Sequence, residues 1–331
     1  MSNFFSFILL FSWIISSQAT AANIKQFVAL KSGRQLYVET IEAKAGKPTI
    51  VLLNGLTYGI RQWDRFSKAL ETYGYGQIKI DPFGMGQTLL KYAPITQVIP
   101  ADQQVKEIRE ILQILKVPTP YNLLGLSYGG GLSLIFASLF PNEVGMQILM
   151  APYTAPMEGQ DTMIKQQMAY TKMVNPFLTS KNDEALYDYF LKQNVYSSYP
   201  YSEPIVLENP FKLEAVFRMV QGIRHWQVDQ HYDVLPNQTI HLVIAGQDQY
   251  IKRDVLTKLW DELPVSSKVS KVVIKYSEHK IPEAVPKFAA AWVDLLMRDK
   301  KFVAEKQEFI ADPFSGEAEY SGGKIQLTRE F

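Results

Sequence analysis

Apolar positions along this chain follow two alternating patterns, and their order predicts a fold. Short, mostly apolar runs recur at Thr49–Leu53, Gln77–Ile80, Tyr121–Leu126, Met146–Met150, Ile240–Ala245 and Lys271–Tyr276. Their length and β-branched content suit strands buried on both faces. Segments of helical period lie between them. Asp102–Leu115 carries apolar residues at 105, 108, 111, 112 and 115, Gly129–Phe140 runs to Pro141, and Asp254–Leu263 and Glu283–Met297 follow the same period. Parallel strands need crossovers long enough for a helix, so this order predicts an α/β fold: a mostly parallel central sheet with helices on both faces. Ahead of it, Ile24–Leu30 and Gln35–Ile41 flank the turn-like Lys31-Ser32-Gly33-Arg34 and read as a hairpin.

Three stretches depart from the alternation. Residues 155–236 hold no clear strand, only Met-, Tyr- and Phe-rich stretches broken by Pro176, Pro200, Pro204 and Pro210. They are expected to form a helical cap inserted between two strands of a core made from residues 23–154 and 237–299. Residues 300–331 are polar, with Gly316, Gly322 and Gly323, and form an extension whose structure the pattern does not predict. At the other end, the apolar run Phe4–Ile15 precedes Ala19-Thr20-Ala21, which has the small-x-small form of a cleavage site. Residues 1–22 therefore read as a signal peptide, although Met1-Ser2-Asn3 lacks a cation, and the protein as exported, periplasmic or secreted.

Composition narrows the function classes. The 331 residues carry 34 Lys plus Arg against 33 Asp plus Glu, a net charge of +1. That leaves no cationic excess for nucleic-acid phosphates, so a small molecule is the expected partner. The absence of cysteine removes thiol nucleophiles, disulfides and Cys-ligated zinc. The four histidines, His225, His231, His241 and His279, include no pair four residues apart, so no metal is expected. The glycine-rich Asp81-Pro82-Phe83-Gly84-Met85-Gly86-Gln87-Thr88 lacks the lysine and the spacing of a phosphate loop, and no cofactor is expected.

The candidate chemistry centres on Gly125-Leu126-Ser127-Tyr128-Gly129. This G-x-S-x-G sequence lies directly between a predicted buried strand and a predicted helix, the setting that lifts a serine hydroxyl above a sheet edge. A serine needs a base, and the base an orienting acid. His279 is the histidine that follows the last predicted core strand within a short loop. Asp248, after Ile240–Ala245, is the favoured acid, with Asp254, Asp161 and Glu158 as competitors. Two backbone donors must face the oxyanion. Tyr128, after the serine, supplies one amide, and the loop Asn54-Gly55-Leu56-Thr57 supplies the other, Leu56 being the favoured donor. Asn54, Gly55 and Tyr58 are candidate substrate contacts, with Trp63 as a further candidate.

Together these residues resemble the α/β-hydrolase superfamily, in particular its capped esterase, lipase and aminopeptidase branch, over about Ile24 to Met297. The resemblance implies Ser127, Asp248 and His279 as a triad and a cap that sets specificity. Two departures stand out: the oxyanion loop begins Asn54-Gly55 rather than His-Gly, and the elbow lacks the Gly-Gly-Ser-Trp-Gly of proline iminopeptidases. The leading expectation is a carboxylic ester hydrolase working through an acyl-serine. The alternatives are an aminopeptidase, an amide or C–C bond hydrolase on the same triad, and a non-catalytic binding protein. Cap acids such as Asp183, Glu184 and Glu203 are surface charges or contacts to a substrate amine. The cap's Met and Phe residues are expected to pack, with membrane contact as the lesser reading.

Overall fold

A computed structural model describes residues 23–56, 58–153, 158–198, 209–224, 226, 235, 238–298 and 307–331. The signal-peptide segment, His225, His231 and Glu203 lie outside them.

Eleven strands form one sheet in the order β1-β2-β4-β3-β5-β6-β7-β8-β9-β10-β11. The strands are β1 (Asn23–Ala29), β2 (Gln35–Ile41), β3 (Thr49–Leu53), β4 (Gly76–Asp81), β5 (Tyr121–Leu126) and β6 (Val144–Met150), then β7 (Ile240–Ala245), β8 (Lys268–Ile274), β9 (Gln307–Asp312), β10 (Glu317–Tyr320) and β11 (Gly323–Gln326). From β4 through β3, β5, β6, β7 and β8 to β9 every pairing is parallel. The pairings of β1 with β2, β2 with β4, β9 with β10 and β10 with β11 are antiparallel. Every residue of β4 and of β7 is buried. Strands buried on both faces are mainly apolar, and the polar residues buried here, Gln77, Lys79, Asp81 and His241, each have a hydrogen-bond partner.

Helices Ala101–Ile114 and Tyr128–Leu139 pack on each other, as do Asp64–Glu71 and Pro286–Arg298. Between β6 and β7 lie helices Glu158–Val174, Asp183–Ser198 and Lys212–Ile223. The last of these buries Leu213, Val216, Phe217 and Val220 at helical spacing and packs against Ala101–Ile114. Leu191 and Val195 are buried too, whereas Tyr170, Met173, Val174 and Phe177 remain exposed.

Three elements differ from the sequence expectation. The strand expected to run to Tyr276 ends at Ile274, because Tyr276 adopts φ +60°, a left-handed turn that cannot continue a strand. The helix expected over Glu283–Met297 is two helices, Ile281–Ala284 and Pro286–Arg298. Pro286 has no amide hydrogen and pushes Val285 out of the helical region, to φ −136°. The unplaced C-terminal extension supplies β9, β10 and β11. Phe309, Ala311 and Ala318 are buried there, and the Phe309 ring lies 5.1 Å from that of Trp292.

For function, the consequence is one sheet edge. The loops leaving the carboxyl ends of β3, β4, β5, β7 and β8 begin at residues 54, 82, 127, 246 and 275. In an open parallel sheet, ligands bind at that edge.

Candidate active site

Ser127 occupies the turn between β5 and the helix Tyr128–Leu139, with φ +51° and ψ −116°. Non-glycine residues rarely adopt this conformation, which costs about 1–3 kcal/mol and persists only where neighbours over-determine it. Here they do. The Ser127 amide donates to Met150 O at 2.8 Å, and its carbonyl accepts from Gly130 N at 2.8 Å and Tyr153 N at 2.9 Å. The turn also requires glycine on both sides. A Cβ on Gly125 would stand 2.2 Å from Gly129 O, and one on Gly129 would stand 2.0 Å from Leu53 O. The side chain of Ser127 opens into a cavity of about 910 Å³ whose walls include Leu56, Tyr58, Tyr153, Tyr250 and His279.

His279 follows β8 and reaches the same cavity. Its Nδ1 lies 2.8 Å from Asp248 Oδ2. The other oxygen, Asp248 Oδ1, accepts from Tyr250 N and Ile251 N, both at 2.8 Å. Only 2% of the aspartate side chain is exposed, against 12% for the imidazole. An acid held by two amides and facing a ring nitrogen sets the tautomer, leaving Nε2 free to accept a proton. Tyr250 stacks obliquely on the imidazole, with ring centroids 5.2 Å apart.

Two of the competing acids, Asp161 and Asp254, are engaged elsewhere, and the Glu158 side chain lies outside the described residues. Asp161 accepts from Tyr187 OH at 2.9 Å and pairs with Lys165 at 2.6 Å, and Asp254 Oδ1 accepts from Val255 N at 3.0 Å. His241 is buried in β7 with Nδ1 2.7 Å from Ser270 Oγ. Burial pulls its pKa down to about 3, so it stays neutral in the core. Among the described residues, no three imidazole or carboxylate groups come together as metal ligands.

Tyr128 is the first residue of its helix, and Leu56 lies in the turn after β3 that Tyr58 N closes onto Gly55 O at 3.2 Å. Neither the Leu56 nor the Tyr128 amide has a hydrogen-bond partner among the described residues. The helix N-terminus adds a partial positive charge beside Ser127. The Tyr128 side chain points the other way: its hydroxyl is buried and donates to Gln104 Oε1 at 2.5 Å.

Gly55 and Tyr58 line the cavity. Asn54 does not: its side chain is fully buried and bonded on every side. Nδ2 donates to Ile80 O at 2.9 Å and Asp81 Oδ1 at 3.1 Å, while Oδ1 accepts from Trp63 Nε1 at 2.8 Å and Gln62 Nε2 at 3.3 Å. A loop that must present a free amide inward needs its polar anchors behind it, and Asn54 is one, with Trp63 as its partner rather than a cavity wall. Asp81 is a second anchor. It accepts from Ile60 N and Gln87 N, each at 2.8 Å. Burial pushes its carboxyl up to about 6, against the pull of those donors.

The cavity also takes in Asp81, from the glycine-rich turn, and four residues the sequence reading missed: Tyr153, Lys212, Tyr250 and Lys280. Tyr250 and Lys280 flank Asp248 and His279 closely enough for proximity to have flagged them. Lys212 carried no local signal.

Comparison with known proteins agrees with the fold. The family described as the alpha/beta hydrolase fold matches residues 48–186. The 2-hydroxy-6-oxononadienedioate/2-hydroxy-6-oxononatrienedioate hydrolase of Paraburkholderia phymatum is 29% identical over 133 residues, 39% of this chain and 45% of that protein. The match thus spans about half the length of the curated relative. Among solved structures, MGS-M2, an alpha/beta hydrolase enzyme from a Medee basin deep-sea metagenome library, has a TM-score of 0.59 at 19% identity, covering 82% of this chain and 96% of that one. The esterase of Exiguobacterium antarcticum has a TM-score of 0.58 at 17% identity, covering 83% and 100%. At these identities the two structures speak for the fold alone.

Proposed function

We propose that this chain, which belongs to the α/β-hydrolase superfamily, is a serine hydrolase that cleaves a carboxylic ester through an acyl-Ser127 intermediate. One observation carries the reading: Ser127, on its strained turn, shares a single cavity with a His279 that is hydrogen-bonded to Asp248. Ser127 Oγ attacks the ester carbonyl carbon as its proton passes to His279 Nε2. The carbonyl oxygen becomes an oxyanion facing the Leu56 and Tyr128 amides. Collapse breaks the bond to the alkoxy oxygen, which takes the proton from His279 and leaves as alcohol. Water then repeats the cycle on the acyl-enzyme, releasing the acid and restoring Ser127. Asp248 stabilises the imidazolium throughout. Helices Glu158–Val174, Asp183–Ser198 and Lys212–Ile223 act as a cap, and residues 1–22 direct export.

The test is labelling with a fluorophosphonate, read by intact mass, alongside turnover of short-chain 4-nitrophenyl esters. One phosphonyl adduct on the parent, none on Ser127→Ala, and ester turnover lost with that variant are expected. A Ser127→Ala protein that hydrolyses esters at the parent rate overturns the reading.

A second reading, hydrolysis of a C–C bond beside a ketone on the same residues, is favoured by the similarity to the 2-hydroxy-6-oxononadienedioate/2-hydroxy-6-oxononatrienedioate hydrolase of Paraburkholderia phymatum. Turnover of a vinylogous 2-hydroxy-6-oxo dienoate with no turnover of any ester would select it.

A further inference from the structure

We infer that the C-terminal extension clamps the segment carrying His279 at both of its ends, with Phe314 and Glu330 as positioning residues for the base. This rests on the serine-hydrolase reading and adds to it the part of the molecule that holds its histidine. His279 lies between β8, which ends at Ile274, and the helix Pro286–Arg298. At the sheet end, Lys275 N donates to Ala311 O of β9 at 2.8 Å. The next residue, Tyr276, turns the chain with φ +60°, which a bulky side chain rarely adopts. The Phe314 ring packs against it, with centroids 5.6 Å apart, and Phe331 stacks on Phe314 at 5.7 Å with the planes 9° apart.

The helix end is held by a borrowed cap. The first turn of a helix leaves amides without partners in the helix, and a Ser, Thr, Asp or Asn just before it normally accepts from them. Here that residue is Val285, whose side chain has no acceptor, and Pro286 has no amide hydrogen. The acceptor comes from far along the chain: Glu330 Oε2 takes Lys287 N at 2.9 Å and Phe288 N at 3.0 Å. A carboxylate is also favoured at this end of a helix by its charge. Glu330 is 2% exposed, and its own amide donates to Pro313 O at 2.9 Å, beside Phe314. Both grips therefore belong to one folded piece, which Leu327 N closes onto Gly316 O at 2.7 Å. Between the grips, Ser277 O accepts from Gln247 N and Glu283 O from Arg65, while the bonds to His279 O and Lys280 O stay within the segment. The imidazole is thus set by Asp248 on one side and by the ends of its own segment on the other. A 2.8 Å bond from Nδ1 to Asp248 tolerates little displacement of either.

The experiment measures hydrolysis of a short-chain 4-nitrophenyl ester, thermal denaturation, and the ring C–H signal of His279 in NMR spectra, assigned by its loss in His279→Gln. In Glu330→Ala, kcat should fall about tenfold or more with KM little changed, since small displacements of a reacting group cost up to about 100-fold. Glu330→Gln keeps an acceptor oxygen and should retain most of kcat. Phe314→Ala, at the other grip, should lower kcat as well. Ile108→Val, a buried change in the helix Ala101–Ile114, should lose stability and keep kcat. The His279 signal of Glu330→Ala should move from its parent position towards the one it takes in Asp248→Ala, where the ring has lost its partner. A loss of kcat that Ile108→Val shares at an equal fall in melting temperature overturns the clamp. Should Glu330→Ala not fold, Phe314→Ala decides, and parent kcat with an unmoved signal there overturns it too. The NMR signal separates this result from failure of the underlying reading. A signal that moves as expected, with no ester turned over by the parent, keeps the clamp and rejects the ester hydrolase; an unmoved signal rejects the clamp whatever the parent turns over.

Discussion

Asp248→Asn exchanges one oxygen of a side chain whose two oxygens already have fixed roles. Oδ1 accepts two backbone amides, from Tyr250 and Ile251, at 2.8 Å each. Asparagine keeps one oxygen, and the two amide donors claim it, since an amide NH₂ against two N–H groups would leave three donor groups facing each other. The new NH₂ must then point at His279 Nδ1, 2.8 Å away in the parent. Nδ1 can meet it only as an acceptor, which moves the imidazole proton to Nε2 and removes the base from Ser127. A wrong tautomer of this kind costs about 10,000-fold in kcat, or roughly 5.5 kcal/mol at 1.36 kcal/mol per decade. Because the Oδ1 contacts survive, the melting temperature should move by only a few degrees. The assay is steady-state hydrolysis of a 4-nitrophenyl ester beside thermal denaturation, with Asp248→Ala as comparator. Alanine frees His279 without imposing the wrong tautomer, so asparagine should be no better than alanine. A folded Asp248→Asn protein with kcat within tenfold of the parent would refute both the assignment of Asp248 and the hydrogen-bond reasoning.

Three further outcomes are expected. Gly129→Ala would place a methyl carbon 2.0 Å from Leu53 O, a backbone atom that cannot swing aside; a loss of about 3 kcal/mol or more is expected from urea unfolding, and an unchanged midpoint would contradict the elbow geometry. Asn54→Leu strands Trp63 Nε1, Ile80 O and part of Asp81, each buried orphan costing about 1–3 kcal/mol, so both stability and kcat should fall while fluorophosphonate still reaches Ser127. Asp81 titrates near 6 when folded, against 3.8 as its ordinary value. The folded state therefore holds the extra proton between those values; its stabilising contribution is complete below about 3.8 and is lost as pH rises through about 6, roughly 3 kcal/mol in all. Unfolding free energies of the parent minus those of Asp81→Asn should fall over that interval, and a rising difference would refute the assignment.

What could be read from the sequence was whatever chemistry imposes locally. Ser127 was legible because its turn needs glycine at 125 and 129 and a switch from strand to helix within five residues. His279 and Asp248 were legible because each follows a buried strand by a few residues, and the sheet order then brings them together. The strand β9 was not: only Phe309 and Ala311 are buried in it, too short a pattern to outweigh the surrounding polar residues, and its partner β8 precedes it by a whole helical region. Asn54 was placed on the wrong side of its loop because a polar residue before a glycine gives no sign of which way it faces. That depended on Gln62 and Trp63 from one helical turn and Asp81 from β4, two separate elements meeting behind β3. Lys212 and Lys280 meet over Tyr58 only in three dimensions.

The two walls of the cavity are also built from different interactions, which explains why one announces itself in the sequence and the other does not. The sheet wall is fixed by buried hydrogen bonds: Asp81 and Asn54 behind the Leu56 loop, Met150 O and Tyr153 N around Ser127. Such networks tolerate few residue types, so they leave recognisable spacing. The helical wall also carries ion pairs at partly exposed positions, Lys192 with Glu214 and Lys172 with Asp183 between helices and Arg218 with Glu214 within one. Pairs in contact with water are individually weak and can be exchanged or moved along a helix at little cost. A wall made this way can change its substrate contacts without disturbing the nucleophile. Buried hydrogen-bond networks are thus placed where substitution is expensive, and exposed ion pairs where it is cheap.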